Sequence, residues 1–216
     1  MYEKGVQTRN HLYEISKRCF YEQGYEKTRI KDIVTAADTP IGLFTYYFKT
    51  KDNIVHEIYS DYYQQIDTCL SSLSIEGLDN PILRHAALSY VYFDLILNNE
   101  NNRRFYYEIL RKSSNYRIAG DFIRNTYRAY IKEYDLVISE REFENFLFID
   151  FGGRREYFLN YFKKDLNDSI SELVFLLSGI VPRLLGIDQQ AVTTLLDKGI
   201  EIAESVNCRH IHFLFE

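Results

Sequence analysis

Residues 28–52 decide the fold, and they read TRIKDIVTAADTPIGLFTYYFKTKD. Thr28 is a suitable N-cap for a short helix that ends just before a turn. Thr39-Pro40 predicts the start of a second helix, because proline is favoured at the first helical position. Asp38 stands between them, where a tight turn needs a left-handed residue. Two short helices around a tight turn form a helix-turn-helix, although an ordinary hairpin inside a helical bundle has the same periodicity.

A longer helix is predicted on each side of this unit. Apolar residues from Leu12 to Phe20 recur at helical spacing, and Gly24 suits the left-handed position that ends such a helix. Phe44 lies on the inner face of the helix that follows the turn. Thr50 is the expected N-cap of a long fourth helix. Together these elements predict a compact N-terminal head.

The remaining chain is predicted to be helical throughout. The sequence from Ser139 to Glu142 is a capping box, and Pro182 should kink or end its helix. No segment alternates with period two for more than a few residues, so the fold class is all-α. We predict a three-helix helix-turn-helix head over residues 1–52 and a larger helical body over 53–216. The predicted body helices span about 81–98, 101–112, 116–134, 140–164, 168–185 and 189–206.

Composition excludes several classes of protein. The chain of 216 residues is 46% apolar and 26% charged, which is typical of a globular protein. Residues 1–5 lack the apolar segment of a secretory signal, and the longest apolar stretch, 173–181, is too short for a membrane span of about 20 residues. The three cysteines are scattered and odd in number, which indicates a reducing cytoplasm. We therefore expect a cytoplasmic protein without a membrane partner.

Charge differs between the two parts of the chain. Residues 1–55 contain nine Lys or Arg and seven Asp or Glu, whereas residues 56–216 contain 17 and 24. A slightly basic head on an acidic body indicates an anionic partner for the head. Chance variation in composition would give the same difference, so the motifs have to decide between the two interpretations.

The head resembles the DNA-binding head of the tetracycline-repressor (TetR) family of bacterial transcription regulators. The sequence departs from the usual family pattern at the turn, where Asp38 replaces glycine and Pro40 replaces serine, and on the following helix at Thr45 and Tyr47. These departures affect the preferred DNA sequence more than the fold. The resemblance covers about one fifth of the chain and is carried by Thr8-Arg9 and residues 20–26, 28–34, 36–37 and 42–52.

The resemblance implies that the third helix lies in the major groove of double-stranded DNA. Residues 40–47 contain no Arg, Lys, Asn or Gln, the side chains that make most bidentate base contacts. We therefore expect thymine-methyl contacts from Ile41 and Leu43, together with readout by Tyr46 and Arg29; the alternative for the two aliphatic residues is packing on the head. The candidate DNA-binding residues, including Thr28 and Lys51 for phosphate, are Thr28, Arg29, Thr39, Ile41, Gly42, Leu43, Thr45, Tyr46, Tyr47 and Lys51.

A single head offers too little contact for specific binding, and related heads act in pairs. The resemblance implies a homodimer in which the helices near 168–185 and 189–206 pair with their symmetry mates. Both segments carry apolar residues at helical spacing. The alternative is that these residues are buried within one chain.

Aromatic residues are concentrated in the middle of the body, where proteins of the resembled family hold a small-molecule inducer. An aromatic-lined cavity suits flat or lipophilic molecules, although aromatic residues at helical spacing also form plain core. Asp94 and Asp150 interrupt apolar runs, and each could face water, pair with an arginine or attract a cationic ligand. The candidate ligand-binding residues are Tyr92, Asp94, Tyr106, Phe122, Tyr127, Asp150, Phe151 and Tyr157.

Other kinds of site find little support in the sequence. Cys208, His210 and His212 are close together, but their number and spacing fall short of the usual zinc patterns, so no metal is expected. There is no glycine-rich phosphate loop, nucleophile elbow or paired-carboxylate motif, so neither a cofactor nor an enzymatic activity is expected. The leading interpretation is a dimeric transcription regulator, most simply a repressor released by a ligand. The alternatives are a ligand-independent DNA-bound protein that recruits a partner, and a helical interaction protein that does not bind DNA.

Overall fold

The computed structural model describes residues 3–73, 75–112, 116–164, 166–208 and 210–215, the side chains of 116–119 excepted. Over this part of the chain the secondary structure is helical, without strands, which confirms the all-α prediction. The helices are α1 (Glu3–Gln23), α2 (Ile30–Ala36), α3 (Ile41–Tyr47), α4 (Lys51–Ser71), α5 (Pro81–Leu97), α6 (Glu100–Lys112), α7 (Tyr116–Glu133), α8 (Glu140–Lys164), α9 (Ile170–Ser178), α10 (Ile180–Leu184) and α11 (Gln189–Ser205).

The head is built from α1, α2 and α3, which pack on one another around buried aromatic and aliphatic side chains. Phe20, Ile33 and Phe44 are fully buried there. Asp38, in the turn between α2 and α3, has a φ of 46°, so the predicted left-handed turn residue is confirmed. Pro40 precedes the first residue of α3 and takes the N-cap position, one residue later than predicted.

The long helix α4 leads from the head into the body. Thr50 caps it as predicted, since its side chain accepts a hydrogen bond from the backbone N–H of Asn53. In the body, α5 is the central helix and contacts α4, α6, α7, α9 and α11. Gly199 of α11 lies so close to α5 that a Cβ there would be 2.5 Å from the carbonyl oxygen of Leu83. The absent side chain therefore allows α11 and α5 to approach each other closely.

One predicted helix is broken, but not at the residue that was expected. The segment 168–185 divides at Gly179 into α9 and α10, whereas Pro182 lies inside α10. A proline in a helix cannot donate the usual hydrogen bond to the carbonyl of the residue four positions earlier, because it has no N–H. Its ring also clashes with that carbonyl. For Pro182 this residue is Ser178, the last residue of α9, so the proline moves the break one turn upstream of itself.

The dimer helix predicted at 189–206 requires correction. The apolar residues of α11 that motivated it, including Val192, Leu196 and Ile200, are buried within the single chain, and α11 packs chiefly on α5. Their apolar stripe is already used as core, which is the alternative weighed above. The described helices also include none with the length and apolar character needed to cross a lipid bilayer.

The segment after α11 folds back over the junction between the head and the body. Phe213 is buried, and its ring contacts the rings of Tyr59 and Tyr62 on α4 and of Phe105 on α6. Phe215 contacts Tyr21 of α1. The end of the described chain therefore ties three helices together.

Candidate functional site

The outer face of α3 is exposed and largely apolar. Tyr46 is 73% exposed and Ile41 is 58% exposed, and Gly42, Leu43 and Thr45 are exposed as well. Phe44 is the buried residue of α3. The structure therefore brings Ile41, Gly42, Leu43, Thr45 and Tyr46 together on one exposed surface, with Leu43 the more covered of the two aliphatic residues at 37% exposure.

The remaining predicted residues around α3 occupy its flanks. Arg29 is exposed immediately before α2, and its backbone N–H donates to the carboxylate of Asp32. Thr39 is half-buried, with its hydroxyl donating to the carbonyl of Ala37. Tyr47 is half-buried beside Tyr46, with ring centroids 5.0 Å apart. The Arg29 guanidinium thus remains available to an anionic partner.

The prediction that the Thr28 hydroxyl contacts a phosphate is wrong. The side chain is fully buried, and its hydroxyl lies 2.6 Å from the carbonyl oxygen of Gly24 and 3.2 Å from that of Cys19. It closes the loop between α1 and α2 and offers no hydroxyl to a phosphate. Arg29, not Thr28, occupies the N-cap position of α2.

Lys51 also points into the protein. Its Nζ donates to the carbonyl oxygens of Tyr25 at 2.7 Å and Thr28 at 2.6 Å, and lies 4.0 Å from the centre of the Tyr25 ring. Burial lowers the pKa of Lys51. In this conformation Lys51 links the start of α4 to the loop between α1 and α2. Its phosphate-binding role stays a prediction, because Lys51 would have to give up these two hydrogen bonds to reach a phosphate.

Helix α6 connects the body to the head through polar contacts. Lys112 donates to both carboxylate oxygens of Asp52, at 2.6 and 2.7 Å, and to the hydroxyl of Tyr25 at 2.6 Å. Arg104 donates to the carbonyl oxygen of Tyr21 at 2.6 Å. A displacement of α6 or of the first turn of α4 would therefore reach the head directly.

The body contains a small cavity of about 40 Å³ between α4, α5, α6, α7 and α8. Three of the predicted ligand-binding residues, Tyr92, Tyr106 and Phe151, line it. Sequence analysis did not name Tyr63 and Arg154, which also line it. The predicted aromatic cavity is thus present, but in this conformation it has room for only about three water molecules.

A buried ionic network borders this cavity. The Arg154 Nε donates to both oxygens of Asp150 at 2.8 Å, and another guanidinium nitrogen donates to the carbonyl oxygen of Leu177 at 2.6 Å. The Tyr127 hydroxyl donates to the second carboxylate oxygen of Asp150 at 2.7 Å. Asp150 raises the pKa of Arg154, and burial opposes it. Of the three interpretations left open for Asp150, pairing with an arginine is the one observed.

A second pocket, of about 180 Å³, lies next to the cavity, and Tyr63 lines both spaces. Phe122 and Tyr63 line it, together with polar residues of α4. The rings of Tyr92, Tyr63 and Phe122 are stacked in that order, with centroid distances of 5.0 and 4.5 Å. Tyr63 is therefore the partition between the inner cavity and the outer pocket.

Two predicted ligand-binding residues lie elsewhere. Asp94 lines surface pockets beside the C-terminal segment and accepts a hydrogen bond from Asn98, one turn along α5. Tyr157 donates to Asp168 at 2.7 Å, at the start of the segment that leads into α9. Asp94 and Tyr157 are neighbours in the sequence of residues that line the cavity. They lie on other sides of their helices, however, and do not line it themselves.

The cysteine and histidine residues near the C-terminus do not converge on one point. The Cys208 Sγ lies 3.4 Å from the Sγ of Cys69 on α4, whereas His210 is exposed. Burial raises the pKa of Cys208 to about 12. Within the described residues, no group of three or more potential metal ligands is found.

Comparison with known proteins agrees with the geometry of the head. A model described as "Bacterial regulatory proteins, tetR family" matches residues 12–58, which include α2, α3 and the exposed α3 surface. The head therefore belongs to the tetR family. The resemblance drawn from the helix-turn-helix residues is therefore confirmed.

Two curated relatives of this chain are regulators by name. One is the probable HTH-type transcriptional regulator YttP of Bacillus subtilis (strain 168), 24% identical over 145 residues that make up 63% of this chain and 66% of the relative. The other is the HTH-type transcriptional repressor DhaR of Mycobacterium sp. (strain GP1), 32% identical over 71 residues, 31% of this chain and 36% of the relative. The matches thus span part of each relative's length.

Solved structures support the same fold for the whole chain. The structure of RolR in complex with resorcinol superposes with a TM-score of 0.63 at 16% identity, covering 92% of this chain and 97% of that one. RolR without ligand gives a TM-score of 0.59 at 14% identity, covering 87% and 96%. The likeness in fold therefore extends from the head to the arrangement of the body helices.

Proposed function

We propose that this tetR-family chain is a dimeric, sequence-specific DNA-binding transcription regulator, a repressor released by a small-molecule ligand and acting in the cytoplasm. The observation that carries the proposal is the exposed outer face of α3, with Ile41 and Tyr46 presented to solvent while Phe44 anchors the helix. Helices of this motif enter the major groove of DNA. The names of the curated relatives, a transcriptional regulator and a repressor, support the same activity.

DNA sequence is read mainly by apolar and aromatic contacts in this proposal. Ile41 and Leu43 contact thymine methyl groups, and Tyr46 contributes a ring and a hydroxyl. Arg29 supplies a guanidinium at the front of α2, where it can reach a base edge or a phosphate. Because α3 itself carries no charged side chain, shape readout of the duplex contributes the remaining discrimination.

The test is selection of bound sites from a random duplex pool, followed by affinity measurements at several salt concentrations. We expect an enriched, two-fold symmetric sequence and an affinity that falls steeply with salt. Arg29→Ala should weaken discrimination between base variants, whereas Lys132→Ala on α7 serves as the matched loss of a charge far from α3. Failure to enrich any sequence would overturn the proposed function, and unchanged discrimination in the Arg29 variant would remove that residue from the readout.

For the dimer, we propose a face formed by α8, α9 and α10 in place of α11. Leu176 is 45% exposed, Leu184 is 44% exposed, and Ile180 lies between them at four-residue spacing. On α8, Phe148 and Ile149 are exposed large apolar residues. Since α10 contacts α8, the two apolar stripes belong to neighbouring helices. Burial of such a surface between two copies would stabilise an isologous dimer.

Size-exclusion chromatography with light scattering tests this face. The wild-type protein should have twice the chain mass of 25.7 kDa. The double variant Leu176→Glu and Leu184→Glu should shift to the chain mass at micromolar concentration, because it places carboxylates in the proposed contact. The matched variant Thr194→Glu, on the exposed side of α11, should remain dimeric. A wild-type protein of single-chain mass would contradict the dimer, and a dimeric double variant would contradict this face.

The ligand site in this proposal is the aromatic cavity beside Arg154. RolR, which shares the fold, was solved with resorcinol, so a body of this shape accommodates a small aromatic molecule in that protein. Here a ligand that prefers one body conformation shifts the population toward it, and the change reaches the head through α4 and the contact between Lys112 and Asp52.

A further inference from the structure

We propose that the side chain of Tyr63 is a built-in occupant of the ligand site, and that a free one-ring phenol binds by displacing it. The inference rests on the proposed function, because it names the ligand class for the body cavity. It goes beyond that function in assigning a competing role to a residue of α4. The ring stack around Tyr63, the polar groups beside it and the two volumes that its ring separates support the inference.

The Tyr63 ring is held as a flat ligand would be held. It lies between the rings of Tyr92 on α5 and Phe122 on α7, at centroid distances of 5.0 and 4.5 Å and interplanar angles of 12° and 16°. Most ring pairs in this body are tilted or edge-on, as aromatic pairs in cores usually are. Two nearly parallel partners form a slot whose width fits one aromatic ring.

Polar groups lie beside Tyr63 at the inner cavity, because Tyr92 and Arg154 line that cavity together with it. Burial raises the pKa of Tyr63 to about 12, and the negative charge of Asp150 acts in the same direction, whereas Tyr92 and the positive charge of Arg154 oppose it. Arg154 is itself fixed by Asp150 and by the carbonyl oxygen of Leu177. The slot therefore combines two apolar faces with hydrogen-bonding and cationic groups at one end, which is the chemistry that recognises a phenol.

The volumes explain why Tyr63 has to move for a ligand to enter. The inner cavity of about 40 Å³ holds a few water molecules but no aromatic ring. The outer pocket of about 180 Å³ lies directly on the other side of Tyr63, which lines both spaces. Rotation of this one side chain joins them and frees the slot between Tyr92 and Phe122.

A phenol is favoured over other aromatic ligands by the groups that Tyr63 would leave behind. A ring without a hydroxyl would offer the inner polar groups no hydrogen-bonding partner, so it should bind more weakly than a phenol. An aromatic cation would find no free carboxylate there, because Asp150 is already paired with Arg154. A phenol supplies the same aromatic ring and hydroxyl as the displaced Tyr63 side chain.

The displaced residue lies on α4, so occupancy of the slot acts directly on the helix that leads to the head. Tyr63 is three turns along α4 from Asp52, which binds Lys112 and Tyr25 at the junction. Expelling its ring from between α5 and α7 removes a contact that holds α4 against the body. This gives a phenol different affinities for the two conformations, as a population shift requires.

The experiment uses the full-length protein and p-cresol, the side-chain analogue of tyrosine, with toluene as the probe that lacks the hydroxyl. Calorimetry should show millimolar or tighter binding of p-cresol to the wild type and weaker binding of toluene. Tyr63→Ala should bind p-cresol about tenfold more tightly or better, because the internal competitor is gone. Tyr63→Phe, which keeps the ring and is the variant least prone to unfolding, should bind p-cresol more tightly than the wild type. Tyr107→Ala, which removes a tyrosine on α6 outside the stack, should bind as the wild type does.

A second measurement follows Tyr63 itself. With 3-fluorotyrosine incorporated at position 63 alone, p-cresol should move the ¹⁹F resonance toward the solvent-exposed value, and toluene should not. Absence of p-cresol binding to the wild type, an unmoved resonance in the bound state, or equal affinities in the wild type and both Tyr63 variants would each overturn the inference. DNA binding by the ligand-free protein tests the proposed function separately, so the two can fail independently.

Discussion

The Nδ1 of His85, on α5, lies 2.5 Å from the hydroxyl oxygen of Tyr130, on α7. Both side chains are buried in the body, and the His85 ring also meets the ring of Tyr127 edge-on. Burial lowers the pKa of His85 to about 3, and the positive charge of Arg154 acts in the same direction. The contact between α5 and α7 thus requires a neutral imidazole.

This relationship predicts a loss of stability in mild acid. An unfolded histidine has a pKa near 6.5. Below this pH the imidazole of His85 therefore binds a proton in the unfolded state but stays neutral in the folded state. The contribution of His85 is complete above pH 6.5 and falls as the pH drops toward 3. Between pH 7 and pH 5 the free energy of unfolding should fall by about 2 kcal/mol on this account. Urea titrations of the wild type and of His85→Gln at both pH values measure it, and equal pH dependence in the two proteins would contradict it.

The ion pair of Asp150 and Arg154 gives a second prediction. Removing one partner leaves a buried charge without compensation, so Arg154→Met should lower the free energy of unfolding by about 3–5 kcal/mol. The double variant Asp150→Asn and Arg154→Met removes both charges and should recover a large part of that loss. Denaturant unfolding of the two single variants and the double variant measures the coupling. Additive losses would show that the two residues do not act as a pair.

A third prediction concerns the contact of α11 with α5. Gly199→Ala would place a methyl group 2.5 Å from the carbonyl oxygen of Leu83 and 2.8 Å from the Cβ of Ala86, so the helices must move apart. We expect a loss of about 1–3 kcal/mol despite the better helix propensity of alanine. Gly120→Ala on α7 is the matched control, because nothing lies within 4 Å of the added methyl group, and it should gain stability or leave it unchanged. Thermal unfolding of both variants checks the difference, and a stabilised Gly199 variant would show that the contact is looser than described.

The head could be predicted from the sequence because its determinants are local. Gly24 and Asp38 take positive φ where the turns require it, and Thr50 caps the helix that follows it. Each of these depends only on residues a few positions away. The burial of Thr28 and the present partners of Lys51 could not be predicted, because the carbonyl groups that they contact lie near them only in the folded chain.

The body site was predicted in composition but only partly in residues. Asp150 had three open interpretations, and the choice depended on Arg154 one turn later and on Tyr127 from another helix. The i, i+4 spacing of Asp150 and Arg154 is the sequence signal that favours the pairing. Tyr63 carried no such signal, because its importance comes from lying between rings of α5 and α7, which are distant in the sequence.

The fourth prediction concerns the segment after α11. Phe213 is buried against Tyr59, Tyr62 and Phe105, with ring centroids 5.1, 4.8 and 5.6 Å away. Phe213→Ala should lower the free energy of unfolding by about 3–5 kcal/mol, since the cavity would open where α4 and α6 meet.

Phe215→Ala is the control for that prediction. It alters the same segment two residues later, at a ring that is partly exposed against Tyr21 and Arg18. We expect a loss of less than about 1 kcal/mol. Urea midpoints of the two variants at one pH separate the cases. Because Phe213 touches both helices that lead from the body to the head, its loss should also weaken DNA binding at temperatures where the variant remains folded. Equal stability losses in the two variants would mean that the segment contributes by its backbone rather than by this ring.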